Sequence, residues 1–267
     1  MKKYIAFFRM KFLVTLQYRT AAVAGIATQF VWGAMETFLF HAFYNTDAAA
    51  FPMTMSATAA YIWLQQAFLM LFMAWAMDNE PFELIMNGNI AYTLCRPIHI
   101  YSLWFAQSTA TRLSKASLRC IPVLVVAMIL PAPFGLSLPK DIQTFLWFIV
   151  SMILALLVAV AFCMLIYMLS FFTVSPMGLR MLFLSLYELL SGAVVPLPFF
   201  PDTLRPIAEM LPFAAAQNIP FRIYGGDLVG TKMIQSLCFQ LFWLIVLVII
   251  GRLLCRKAMK KTVIQGG

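Results

Sequence analysis

Acidic residues and histidine are scarce in this chain of 267 residues: ten Asp and Glu together and only two His, His41 and His99, against 19 Lys and Arg. So few donors form no His, Cys or acid constellation at one depth, so no metal site and no catalytic residues are expected. No glycine is followed by lysine, which excludes the GKS or GKT ending of a phosphate-cradling loop and with it ATP hydrolysis by this chain through that motif. The stretch GGDLVGTK, Gly225 to Lys232, lacks the preceding apolar strand and the spacing, and reads as a turn. Five cysteines fall in apolar runs or basic segments without paired metal-ligand spacing, so they predict small apolar fillers rather than a disulfide framework. Charged residues make up only 11%, where soluble domains carry about 25%.

What is abundant is apolar: 63% of the residues are hydrophobic, and the bilayer is the expected solvent. Six stretches approach or exceed the roughly 20 residues that cross a hydrocarbon core of about 30 Å: Thr20 to Tyr44, Ala57 to Met77, Leu118 to Phe134, Gln143 to Thr173, Met181 to Pro196 and Ser236 to Cys255. These runs are continuous rather than alternating, which argues against a β-barrel. The fold class expected is an all-α polytopic membrane protein with six transmembrane helices. The chain divides as one transmembrane domain, 1–267: an N-terminal segment 1–19, spans one and two in 20–77, a polar loop 78–119, spans three to five in 120–196, a proline-rich connection 197–235, the last span 236–255 and a tail 256–267.

Fifteen of the 19 cations flank the spans on one side and four lie on the other. The positive-inside bias therefore places both termini in the cytoplasm. Because the basic residues flank spans and form no separate domain, no nucleic-acid partner is expected. The N-terminal lysines are followed by interrupted apolar residues carrying Arg9, Lys11 and Arg19, which predicts a retained interfacial helix with Ile5, Phe8, Phe12 and Leu16 on one side rather than a cleaved signal.

Two acids stand inside spans, Glu36 and Glu188. An ionisable group in hydrocarbon costs upward of about 2.5 kcal/mol and is by default a functional hypothesis. In the loop, DNEPFELIMNG has Asp78 or Asn79 as candidate N-cap, Pro81 in the first turn, acids at the positive end and Gly88 as the stop, so a short helix is expected. After Arg96 and Pro97 a second helix should carry Gln107 or Ser108, Thr111, Arg112, Lys115 and Arg119 on one polar stripe, making the loop a folded cytoplasmic surface, with an interfacial hairpin resting on lipid headgroups as the alternative. Further along, five prolines fall between Glu188 and Phe213. Pro196 and Pro198 are expected to end span five, and Asp202 to cap a short helix that follows.

These features together resemble the membrane permeases of ABC-2 type transporters (type V ABC transporter-like). The N-terminal helix, six spans, the long loop with GNIAYTLCRPIHIY, and LSGAVVPLPFFPDTLRPIAEMLPF before the last span carry the likeness. The resemblance implies a bacterial inner-membrane exporter of a hydrophobic or amphipathic substrate, made of two permeases, identical or related, and separate ATPase subunits that bind ATP and magnesium. It implies that Asn79 to Asn87 is a coupling helix, with Glu80, Phe82, Glu83, Leu84 and Ile85 toward the ATPase. It also implies re-entrant short helices between spans five and six, with Val194, Val195, Leu197 and Phe199 near a gate. The competing reading is a proton-coupled transporter using Glu36 or Glu188.

Overall fold

The computed structural model describes residues 2–47 and 51–261, and within them every regular element is helical. In chain order these are α1 (Lys2–Leu16), α2 (Arg19–Thr46), α3 (Met55–Ala67), α4 (Leu69–Phe72), α5 (Glu80–Met86), α6 (Ile90–Leu94), α7 (Ile100–Ile129), α8 (Ile142–Leu169), α9 (Pro176–Leu190), α10 (Arg205–Met210), α11 (Asn218–Tyr224) and α12 (Gly230–Lys261). Among the described residues, three helical segments are long and apolar enough to cross a membrane: Ala22–Thr46, Ile142–Phe172 and Gly230–Lys260. They correspond to the first, fourth and sixth apolar runs.

The other three runs take different forms. The second breaks at Phe68 and again at Met73, leaving α3, α4 and a single 3-10 turn at Ala74–Ala76. The third is the second half of a 30-residue α7 that contains Pro122. The fifth is α9, only 15 residues long.

The centre is α8, whose apolar residues run all round its circumference. Asp141 starts it by accepting the Thr144 backbone N–H at 2.6 Å, and that N–H holds the Asp141 carboxyl below its ordinary pKa. A 3-10 turn extends the helix to Phe172. Ala155, Ala159 and Ala161 are buried, and such small side chains let neighbouring backbones approach closely without a lipid layer between them. Helices α7, α11 and α12 pack around α8, α2 and α3 pack beside α7, and α1 lies along α7.

Four expectations need correction. In α1 the side that turns inward is Tyr4, Phe8, Lys11, Phe12 and Thr15, while Ile5 is exposed; Ser114 Oγ of α7 donates to Phe12 O at 3.0 Å and fixes that rotation. Helix α9 ends at Leu190, before Pro196, because Gly192 adopts φ 80°, a left-handed conformation that terminates a helix. Asp202 does not cap α10; the cap position is Leu204 without a side-chain bond, and Asp202 pairs with Arg205 at 3.0 Å.

The fourth correction concerns the polar stripe of α7, whose first part faces the interior. Ser108, Thr111 and Arg112 are buried, as is the neighbouring Ser114, whereas Lys115 and Arg119 are half-buried. Arg112, 1% exposed, donates to Leu71 O and Met73 O at 2.9 Å each and to Cys163 Sγ at 3.1 Å. It caps the carbonyl end of α4, whose groups have no helical partner.

Candidate functional site

Helix α5 is short, and its position is set by what grips it. Asp78 accepts from Thr111 Oγ1 at 3.0 Å and its carbonyl accepts from Tyr167 Oη at 2.8 Å. Asn79 holds the N-cap position of α5 without a side-chain bond to the helix, and its side chain accepts from Arg180 at 2.7 Å. Glu80 accepts from Lys11 Nζ at 2.8 Å, tying α1 to α5. Burial disfavours the Lys11 charge, but the bond to Glu80 and the fields of Asp78 and Glu80 outweigh it and raise the ammonium pKa.

Pro81 and Phe82 point into the protein. The Phe82 ring lies 4.9 Å from that of Tyr167, with the Arg180 guanidinium 5.4 Å from its centroid. Glu83 and Met86 are exposed, and Leu84 and Ile85 are half-buried. Of the five residues expected on this helix, the structure thus makes Phe82 the anchor, Glu80 a tether that remains partly exposed, and Glu83 the outward group, with Leu84 and Ile85 at its edge.

The 191–216 segment is a second constructed feature. Its backbone leaves helical geometry after Gly192, and its carbonyls need donors. Tyr61 and Gln65 of α3 supply them, to Gly192 O at 3.1 Å and Ala193 O at 2.7 Å. Gln240 of α12 donates to Ala215 O at 2.9 Å while accepting from Ser151 Oγ at 2.9 Å. Arg222 holds Glu209 at 2.7 Å and Asp227 at 2.5 Å. The sequence reading missed Tyr61, Gln65, Ser151 and Gln240; their signal was polar side chains at isolated positions within apolar runs. Ser191, Gln217 and Asn218 add buried polar groups without a hydrogen-bond partner among the described residues.

The four residues expected at a gate do not share one surface. Val194 is 63% exposed, Val195 half-buried, and Leu197 fully buried against Ala208 and Ala214. The Phe199 ring lies edge-on 5.1 Å from that of Phe40 and tilted 5.8 Å from that of Phe51. The two intramembrane acids also stand apart: Glu36 of α2 accepts from Gln66 Nε2 of α3 at 3.4 Å, whereas Glu188 on α9 is half-buried. No hydrogen bond or ion pair joins them among the described residues.

The Gly192 turn yields a direct prediction. A Cβ there would lie 2.7 Å from Tyr61 Oη on a backbone at positive φ, so Gly192→Ala should cost about 1–3 kcal/mol from left-handed strain and the displaced hydroxyl. A lowered detergent-solution melting temperature is the expected reading; an unchanged one would show that the turn is not specified by glycine.

An all-helical membrane protein, with a pinned short helix in its long polar loop and an irregular, side-chain-satisfied segment before its last long helix, is the class these features define. The family model described as "ABC-2 family transporter protein" matches residues 30–266, and the chain belongs to that family. A comparison with curated proteins gives no match.

Proposed function

We propose that this chain is the permease subunit of an ATP-driven exporter, with ATP and magnesium bound and hydrolysed by a separate ATPase subunit and with a second permease, identical or related, completing the pathway. The observation that carries this reading is α5: a helix of seven residues, gripped from α1, α7, α8 and α9, that leaves Glu83 and Met86 facing away from the protein. Such a helix moves only with the bundle, so a push on its free face reaches α7, α8 and α9.

In this reading all six apolar runs cross a bacterial inner membrane with both termini cytoplasmic. The second run crosses as a broken helix, and α10 and α11 form a re-entrant outer cap over the path. The chain is then one permease domain, with residues 78–119 as its coupling loop. A hydrophobic or amphipathic substrate fits the apolar walls.

The test is co-purification and reconstitution. The tagged permease should retain an ATPase subunit, and the reconstituted pair should transport only with ATP and magnesium. A permease that transports alone on a proton gradient, and loses that activity in Glu188→Gln, would overturn the proposal in favour of proton coupling.

A further inference from the structure

The C-terminal end of α12 meets the start of α7 around a cavity of about 560 Å³. At 1.5 Å per residue, the 32 residues of α12 reach about 48 Å, some 18 Å beyond a hydrocarbon core of about 30 Å. In the orientation proposed above, on which this inference rests, the excess falls at the inner headgroup level. There Arg252, Arg256 and Lys260 follow one another at intervals of four, exposed, on the stripe of α12 that lines the cavity. Among the described residues no Asp or Glu lines it.

Opposite these cations stands Tyr101. It lines the cavity and is only 4% exposed, yet its hydroxyl has no hydrogen-bond partner among the described residues. Its ring packs on Gly251, where a Cβ would lie 2.7 Å from it. Burial pushes the phenol pKa up and the nearby Arg252 charge pulls it down, so phenol and guanidinium share one environment. The rest of the wall is largely apolar, with Leu94, Ile98, Ile100 and Met259 beside the polar His99 and Ser102. Helix α1 braces it: Tyr4 Oη accepts the His99 backbone N–H at 3.1 Å, and Lys3 donates to the Pro97 carbonyl.

Three cations without an ion pair and a buried donor without a partner, both among the described residues, suit with the largely apolar wall one kind of ligand: a phosphate group carrying an acyl chain. A soluble anion would leave the apolar half unfilled, and a neutral lipid would leave the cations without a counter-charge. We propose that this cavity is a binding site for an anionic phospholipid of the inner leaflet, its phosphate held by Arg252, Arg256 and Lys260 with a hydrogen bond from Tyr101, and its acyl chain against the apolar wall. Cations near an anionic bilayer surface each contribute roughly fivefold in affinity, so three amount to about 100-fold.

The purified full-length permease, without ATP or partner, is tested by native mass spectrometry against phosphatidylglycerol and phosphatidylcholine of matched chains. Phosphatidylglycerol should be retained preferentially. The R252Q/R256Q/K260Q variant should lose about 100-fold in its affinity, Tyr101→Phe a few-fold, and a variant with two distant cations neutralised, R9Q/K232Q, nothing. Should the triple variant fail to fold, raising salt from about 50 to about 500 mM must weaken phosphatidylglycerol binding to the wild type alone.

Equal retention of the two lipids, or an unchanged affinity in the triple variant, overturns the site. Displacement of phosphatidylglycerol by millimolar inorganic phosphate overturns the lipid assignment in favour of free phosphate. Displacement by a stoichiometric ATPase subunit overturns it in favour of a protein contact. None of these readings depends on whether transport is driven by ATP.

Discussion

Replacing Arg112 by methionine is expected to destabilise the protein by about 1–3 kcal/mol, the cost of leaving a buried acceptor without its donor. Methionine matches much of the volume but offers no donor. Leu71 O, 41 residues away in sequence, would lose the Arg112 donor, and Met73 O, 39 residues away, would keep only the Ala76 backbone N–H. The break between α4 and the 3-10 turn at Ala74–Ala76 would lose its cap. The shift should appear as an early melting transition, or as aggregation in fluorescence-detected size exclusion. Arg112→Lys should recover part of the loss, because an ammonium reaches one carbonyl but cannot fork between two. A methionine variant that melts with the wild type would show that the two carbonyls find other donors.

The second large effect separates anchoring from coupling on α5. Phe82→Ala removes a ring that is 5% exposed and sits between Tyr167 and Arg180, so a loss of about 3–5 kcal/mol is expected. Transport should fall with it, because the helix is no longer held. Glu83→Ala removes a side chain with no hydrogen-bond or ion-pair partner among the described residues and should leave stability within the ±0.5 kcal/mol of ordinary surface changes. Under the proposed function it should still lower ATP-driven transport about tenfold, a coupling loss of about 1.4 kcal/mol. Measuring melting and transport on both variants distinguishes the two roles. If Glu83→Ala transports normally, and the same holds after Leu84 and Ile85 are also replaced, the exposed face of α5 is not where the ATPase acts.

Much of this was legible because the signals are local. Continuous apolar runs identify the solvent and the helices long and apolar enough to cross a membrane, as in α2, α8 and α12. Pro81, two acids and Gly88 bound α5 within one or two residues, because the chemistry of a helix end lies within one turn of it. The proline-rich run after Glu188 correctly announces backbone that cannot stay helical. The turn itself was misplaced by several residues, because a glycine at φ 80° ends a helix as firmly as a proline and leaves less mark in composition.

What remained hidden depends on partners distant in sequence. The stripe of Ser108, Thr111 and Arg112 looks like a solvated face, because polarity without a known partner implies water. Only the fold brings the carbonyls of the broken second run and Cys163 against it and turns the stripe inward. The same holds for Phe82, an apparent surface contact until Tyr167 and Arg180 enclose it, and for Gln65 and Gln240, which serve carbonyls 128 and 25 residues away.

By itself, then, the sequence determined the membrane as solvent, the all-helical class, the family likeness and the place of the short loop helix, since each follows from composition or from chemistry within a turn or two. Tertiary structure decided which of the apolar runs is central, which polar residues face inward, and which side chains satisfy the irregular backbone after Gly192. Those outcomes turn on hydrogen bonds and packing between segments dozens of residues apart, and a buried polar group and a solvated one are the same letter until a partner is brought to it.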